Sequence, residues 1–161
     1  MTPLAHPGRV AVESVLPVSA DAVWEAVKST ATLHEVARPL VRFRPCPGTT
    51  IPDRWPVGVP VELRLFLFGV VPLGPHTLLV ESADDTSRTL QTRERGPRLC
   101  WDHRIHVEPD GPECARYSDE VEIDAGPLTP VVAAVARLFF WYRHHRWQAL
   151  ARALGTGARP S

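Results

Sequence analysis

The sequence predicts a single α+β domain in which a curved antiparallel sheet closes around a long C-terminal helix. A first strand is followed by two short helical stretches, then by six strands with short turn-rich links, and finally by one long helical segment. Short links make neighbouring strands antiparallel. Because the final helix is apolar on more than one face, the sheet has to wrap around it to bury it.

The first elements are read from alternation and from capping residues. Residues 9–16 alternate in polarity and are predicted as the first strand. Ser19 is placed to cap a helix, and Asp21 lies in its first turn, where the helix dipole favours an acid. Thr32–Glu35 has capping-box spacing, and Pro39 stops the turn that begins there. Two short helices are therefore predicted after the first strand.

The middle of the chain predicts six more strands, because apolar and β-branched runs alternate there with turn residues. Their predicted ranges are Val41–Arg44, Val59–Phe68, His76–Ser82, Arg88–Glu94, Leu99–Glu108 and Ala115–Asp124. With the first strand, these ranges make a sheet of seven strands.

The last helix is predicted to begin at Thr129, an N-cap followed by proline at the first helical position, and to end at Gly155. Apolar residues at helical spacing predict its buried stripe. That stripe is Leu128, Val132, Val135, Phe139, Tyr142 and Leu150.

Composition fits one domain spanning residues 9–154, with flexible tails at 1–8 and 156–161. The chain has 161 residues, 44% of them hydrophobic, and a formal net charge of zero, which gives no overall attraction to nucleic acid. The N-terminus lacks the apolar stretch of a signal peptide, so a cytoplasmic location is expected. The longest apolar run, Val131–Trp141, is too short for stable membrane insertion.

The histidines and three cysteines lack metal-ligand spacing, so neither a metal nor another cofactor is expected. His144 and His145 are adjacent on a helix and point about 100° apart, which favours surface positions over a shared metal. After Asp124 the chain has no acid, and its arginines, Arg143 among them, can be neutralised by the acids upstream or form a basic surface for a partner.

The hairpin of the last two strands predicts which side chains face the interior. Strand periodicity puts Trp101, His103, Ile105 and Val107 on one face, together with Tyr117, Asp119, Val121 and Ile123. If the turn centres on Gly111, Trp101 pairs with Val121, His103 with Asp119 and Ile105 with Tyr117. An imidazole and a carboxylate then lie side by side on an apolar face. Three interpretations stay open: a buried pair that satisfies itself, a polar anchor for a ligand, or a catalytic acid and base.

Several segments resemble the SRPBCC superfamily, the START-like helix-grip proteins, and in particular its small bacterial ligand-binding, polyketide cyclase/dehydrase-like branch. The resemblance rests on Gly96–Pro97, Trp101–His103, Ser118–Val121, Phe140–His144 and the strand-to-helix run Leu16–Trp24. It implies a helix-grip fold with a cavity between the sheet and the last helix. It supplies no catalytic residue set.

The expected function is binding or carriage of a small, largely apolar, lipid-like or polyketide-like ligand in that cavity. The alternative is a polyketide cyclase or dehydratase that uses His103 and Asp119 as acid and base, with Tyr117 or Tyr142 as a hydroxyl donor. Alternation and helical spacing give the ligand-binding candidates. They are Leu63, Leu65, Leu90, Trp101, His103, Ile105, Tyr117, Asp119, Val121, Val135, Phe139 and Tyr142. The sequence does not predict an oligomeric state.

Overall fold

The structure, a computed structural model, describes residues 8–157. The tails predicted at 1–8 and 156–161 therefore lie largely outside the described residues. Of the positions that are described, Gly8 accepts a backbone hydrogen bond from Ile123 at 3.0 Å. Thr156 donates one to Arg152 at 3.2 Å and so closes the last helical turn.

The fold is α+β and consists of a seven-stranded antiparallel sheet, two short helices after the first strand and a long C-terminal helix, as predicted. The strands are β1 Arg9–Leu16, β2 Val41–Pro45, β3 Val61–Leu67, β4 Val71–Asp84, β5 Thr89–Gly96, β6 Leu99–Pro109 and β7 Ala115–Asp124. The helices are α1 Ala20–Val27, α2 Thr30–Ala37 and α3 Thr129–Gly155, with a short 3-10 turn at Gly126–Leu128. The strand order is β1-β7-β6-β5-β4-β3-β2, which leaves β1 and β2 at the edges.

The two short helices begin for different reasons. Ser19 caps α1 by accepting a hydrogen bond from the backbone N–H of Ala22, and Trp24 is buried on the inner side of this helix. In α2 the predicted capping box is not the start, because the helix already begins at Thr30. The Thr30 hydroxyl donates to the carbonyl of Pro52 at 2.7 Å, which ties this end of α2 to the following loop.

The β3–β4 hairpin is tighter than its prolines suggest. We predicted a strand from His76, whereas β4 begins at Val71. Phe68 and Gly69 both take positive φ angles, of 52° and 73°, so the chain reverses within a short turn. A register shift between Leu65 and Phe66 then lets the proline-rich part of β4 stay paired.

Helix α3 packs across the sheet on the side of β1 and β7. Its first turn lies against Gly8, and its last residue, Gly155, lies near the carbonyl of Pro17. The helix therefore runs the length of β1, from the end where β7 finishes to the end where α1 begins.

The predicted buried stripe of α3 is wrong in its first half. Leu128 and Val135 are 61% and 64% exposed, and Val132, Phe139 and Tyr142 are only half-buried, whereas Leu150 is buried as predicted. The face that packs on the sheet consists instead of Ala133, Ala136, Phe140, Arg143, His144, Trp147 and Ala151. Small alanine side chains let the helix approach the strands closely. Hydropathy alone ranks larger apolar residues above them as candidates for burial.

The predicted register of the β6–β7 hairpin is wrong by two residues. The structure pairs Trp101 with Ile123, His103 with Val121 and Ile105 with Asp119. Pro109 pairs with Ala115, so the turn centres on Pro112 rather than on Gly111. Because the shift is an even number of residues, every side chain keeps its predicted face.

Candidate functional site

Asp119 lies at the centre of a buried polar cluster between the sheet and α3. It sits on β7, is 1% exposed, and accepts three side-chain hydrogen bonds. His103 Nε2 donates to Oδ1 at 2.7 Å, the Tyr117 hydroxyl donates to Oδ1 at 3.0 Å, and His144 Nε2 donates to Oδ2 at 2.9 Å. The predicted proximity of His103 and Asp119 is therefore present, along a diagonal of the sheet rather than directly across it.

Arg143 supplies the positive charge of this cluster from α3. Its Nε lies 3.8 Å from Asp119 Oδ2, and its Nη2 donates to the Tyr117 hydroxyl at 3.0 Å. Burial by itself would raise the pKa of Asp119, but Arg143 and the two histidine hydrogen bonds hold that pKa well below its usual range. Burial raises the pKa of Tyr117, so its hydroxyl stays protonated. Asp119 is therefore an ionised carboxylate that only accepts.

His144 is buried, contrary to the surface position expected for it, while His145 is exposed. The ring of His144 spans two strands, because Nε2 donates to Asp119 and Nδ1 shares a 2.8 Å hydrogen bond with Ser14 Oγ on β1. Ser14 and Asp119, which lie on the strands beneath α3, favour this inward position of His144. Helix periodicity alone could not reveal these partners. The interaction ties β1, β7 and α3 together.

A second imidazole–carboxylate pair lies on the same concave face. His76 Nε2 on β4 donates to Glu94 Oε2 on β5 at 2.7 Å, and Thr92 Oγ1 donates to Glu94 Oε1 at 3.3 Å. Burial by itself would raise the pKa of Glu94, but the His76 hydrogen bond and the nearby His103 and Arg143 lower it. The two pairs thus share one electrostatic environment, with Arg143 acting on both carboxylates.

Sequence reasoning missed His76 and Glu94, although alternation carried a signal for both. Glu94 has the same strand parity as Leu90 and Thr92, and His76 has that of Leu78 and Val80. Glu94 was placed at the end of its predicted strand and His76 at the start of its own. Both lie inside longer strands in the structure.

The second ring nitrogen of His103 is available to bind a ligand. Because Asp119 is an acceptor, Nε2 of His103 carries the proton, which leaves Nδ1 as the basic nitrogen of the neutral ring. Within residues 8–157 this Nδ1 has no hydrogen-bond partner. Arg143 Nε likewise has none in that part of the chain. These two nitrogens can therefore bind a polar atom of a ligand.

Aromatic rings cover the cluster at the end where α3 begins. The Phe140 ring lies 5.3 Å from the His103 ring and 5.6 Å from the Trp101 ring, with which it stacks. Arg143 lies 5.6 Å from the Phe140 centroid. Phe140 therefore lies against the buried His103 and Arg143 as well as against the half-exposed Trp101.

A family model described as "Domain of unknown function (DUF8410)" matches residues 14–152. The chain belongs to this DUF8410 family. The match includes every residue of both imidazole–carboxylate clusters, from Ser14 to His144, so the family boundary encloses the whole candidate site. No curated protein matches the sequence.

Solved structures show that this DUF8410 chain has a START-like helix-grip fold. A START superfamily protein from Mycobacterium smegmatis aligns with a TM-score of 0.66 at 14% identity, covering 91% of this chain and 98% of that one. The Zhui aromatase/cyclase from Streptomyces sp. R1128 aligns with 0.65 at 15% identity, covering 90% and 93%. Norcoclaurine synthase from Thalictrum flavum aligns with 0.63 at 13% identity, covering 88% and 91%. At these identities the likeness concerns the fold alone.

The predicted ligand-binding residues separate into three groups by burial. Val135 is exposed on α3, where it does not face the sheet, so its predicted place in the interior is wrong. Leu65, Trp101, Phe139 and Tyr142 are half-buried. The buried residues are Leu63, Leu90, His103, Ile105, Tyr117, Asp119 and Val121.

Both tyrosines predicted as hydroxyl donors are engaged elsewhere. The Tyr117 hydroxyl donates to Asp119 and accepts from Arg143, while the Tyr142 hydroxyl donates to the Arg38 carbonyl at 2.8 Å. The unpartnered donor beside His103 is therefore Arg143 Nε and not a tyrosine hydroxyl.

Two open clefts lie outside this interior. One, of about 450 Å³, is on the outer face of the sheet and is lined by Arg104, His106 and Glu120 among others. The other, of about 340 Å³, lies between α2 and β2. Across residues 8–157, no group of three or more histidine, cysteine or acidic side chains is arranged to hold a metal ion. No helix in the same range is long and apolar enough to cross a membrane.

Proposed function

We propose that the protein binds or carries a small, largely apolar ligand between the concave face of the sheet and α3. The observation that carries the proposal is that two nitrogens of the buried polar cluster, His103 Nδ1 and Arg143 Nε, have no hydrogen-bond partner within residues 8–157 and lie beside aliphatic side chains of the concave face. Leu63, Leu90 and Val121 contribute aliphatic surface, and Asp119 fixes the His103 ring. Sites of this kind combine apolar walls with few polar anchors.

The ligand's apolar part would lie against Trp101 and Phe139, because these two rings flank Phe140, which covers the cluster. Its polar atom would reach His103 or Arg143 once Phe140 turns aside. A phenolic hydroxyl group suits this position, because its O–H can donate to His103 Nδ1 while its oxygen accepts from Arg143 Nε. Relatives by fold that are named as aromatase/cyclase and START superfamily proteins support the same ligand class.

A paired histidine substitution tests the anchor. The probe is 1-anilinonaphthalene-8-sulfonate, an aromatic anion whose fluorescence rises in apolar sites, displaced by fatty acids and by polycyclic phenols. His103→Ala should weaken probe binding by about fivefold to tenfold, the value of one hydrogen bond in an enclosed site, because the anilino N–H of the probe loses Nδ1 as its acceptor. His106→Ala is the matched control, because His106 lies on the same strand, on the outer face, and hydrogen-bonds Glu108.

Equal probe affinities for wild type, His103→Ala and His106→Ala would contradict the anchor. Failure of a broad fatty-acid and polyketide-like library to displace the probe or raise the melting temperature would contradict ligand binding as such. Mass spectrometry of the native protein purified from its own host then identifies the ligand.

The geometry of His103 supports a second candidate function, a cyclase or dehydratase acting on a polyketide-like substrate. With Nε2–H held on Asp119, Nδ1 can take a proton from a carbon atom and return it to a departing hydroxyl group, which leaves as water. Mass spectrometry would detect this loss of water from a linear poly-ketone analogue. Conversion by the wild type and by His106→Ala but not by His103→Gln supports catalysis, whereas binding without conversion supports the carrier function.

A further inference from the structure

The first half of α3 exposes an apolar face. Val131, Val135, Leu138 and Trp141 are 63%, 64%, 66% and 64% exposed. The residues that pack on the sheet, such as Ala136 and Phe140, lie on the other side of the helix. Four large exposed apolar side chains within three turns exceed the scattered single residues of an ordinary surface.

Helix α2 covers the same side of α3, but only further along the helix. Tyr142 donates to the Arg38 carbonyl, and Arg146 forms an ion pair with Glu35. Val135, Tyr142 and Arg146 fall on one side of the helix by its periodicity. The apolar face therefore starts where the cover given by α2 stops.

The turn between β3 and β4 exposes a second apolar group at the same end of the sheet. Phe68, Val70, Val71 and Leu73 are between 49% and 76% exposed. In this antiparallel order, the β3–β4 turn, the β5–β6 turn and the end of β7, from which α3 starts, all lie at one end. We call the two groups and the β5–β6 turn the apolar end of the molecule.

The charged side chains of the two apolar groups and of the β5–β6 turn are positive, and the exposed acid Asp124 adjoins them where β7 ends. Residues 63–80 and 125–157 contain no acid. Arg42 lies beside the β3–β4 turn at Gly69, Arg98 lies in the β5–β6 turn, and Arg137 lies on α3. All three are exposed, and none forms an ion pair with any described residue in 8–157. An exposed apolar surface with unpaired arginines is complementary to an apolar layer bordered by negative charge.

We infer that the apolar end docks on the surface of an anionic lipid bilayer. The aliphatic side chains would enter the boundary between head groups and acyl chains, and Trp141 would lie at head-group level, where tryptophan is favoured. Arg42, Arg98 and Arg137 would contact anionic head groups. The docking needs no spanning helix and is independent of the proposed ligand binding.

Flotation with lipid vesicles tests the docking. The full chain is mixed with vesicles of phosphatidylcholine alone or of phosphatidylcholine with phosphatidylglycerol. The protein is expected to bind the anionic vesicles and not the neutral ones. High salt should weaken the binding. Because the assay contains no ligand, its outcome does not depend on the proposed function.

Two variants separate the apolar and charged contributions. Val135→Gln with Leu138→Gln should reduce partitioning at least about tenfold, since each change removes apolar surface from the docked face. Arg137→Gln should reduce it less and should flatten the salt dependence. Ala149→Gln is the control, because Ala149 is exposed on the second half of the same helix. Melting temperatures of all variants verify folding.

Three results would overturn the inference. The first is absence of binding to anionic vesicles by folded wild-type protein. The second is equal binding by the Val135/Leu138 double variant and the Ala149 variant. The third is a stable dimer in analytical ultracentrifugation that the Val135/Leu138 changes dissociate, because the face would then be covered by a second copy of the chain.

Discussion

Replacing Asp119 by asparagine tests whether the carboxylate holds the buried cluster together. Asparagine has nearly the same size, but its amide group places a donor where His103, Tyr117 or His144 already donates. It also leaves Arg143, which is 5% exposed, without its counter-ion. Removing one partner of a buried charged pair typically costs about 3–5 kcal/mol.

That free energy corresponds to a fall in melting temperature of roughly 10 °C for a chain of this length. Urea unfolding followed by tryptophan fluorescence measures it as a lower midpoint with an unchanged slope. Glu120→Gln is the matched control, because Glu120 is the next residue on β7, faces outward, and pairs with Arg9 at the surface. The control should lose less than about 1 kcal/mol.

The effect also depends on pH in a direction that the lowered pKa of Asp119 fixes. A carboxylate with a lowered pKa stabilises the fold fully above its unfolded-state pKa, near 3.9, and loses that contribution as the pH falls further. The gap in stability between wild type and Asp119→Asn should therefore be constant near neutral pH and shrink in acid. A loss below about 1 kcal/mol at neutral pH, or a gap that grows in acid, would refute the role assigned to the carboxylate.

Two further predictions concern the interior and its metal independence. Phe140→Ala should destabilise the protein by about 3–5 kcal/mol, because Phe140 is 1% exposed, and should increase the binding of aromatic probes by uncovering His103. Urea unfolding and probe titration check both effects, and weaker probe binding would show that Phe140 is a wall of the site rather than its cover. A strong chelator should leave the melting temperature unchanged, since residues 8–157 form no metal-binding group, and a fall on chelation would contradict this.

The inward faces of the strands could be predicted from the sequence because strand periodicity is strict. Alternation alone places His103, Asp119 and Tyr117 on one face, and the structure brings them together. The register could not be fixed in the same way, because it depends on where the chain turns between Pro109 and Ala115. The backbone hydrogen bond from Asp110 to the Cys114 carbonyl sets that turn, and the sequence offers several turn residues there.

The remaining polar residues of the site escaped prediction because their partners come from distant parts of the chain. His144 is held by Ser14 on β1 and by Asp119 on β7, 130 and 25 positions away. Helix periodicity reports which residues share a face, but it does not report which face the sheet covers. With apolar residues on two faces of α3, hydropathy favoured the one that contains Val135, whereas close packing selects the one that contains Ala136.

The acid-free C-terminal segment left two interpretations open, internal neutralisation of its arginines or a basic surface. The structure supports each of them for different arginines of α3. In the second half, Arg143 pairs with Asp119 and Arg146 pairs with Glu35, so those two charges act inside the fold, whereas Arg152 in the last turn is exposed. In the first half, Arg137 has no ion pair within residues 8–157 and lies among exposed apolar side chains such as Val135. Charges neutralised within the fold cannot attract a partner. Of the two exposed arginines of this helix, Arg137 adjoins the apolar face and Arg152 lies at the opposite end of the helix. Variants in the first half should change vesicle binding while leaving the buried cluster intact.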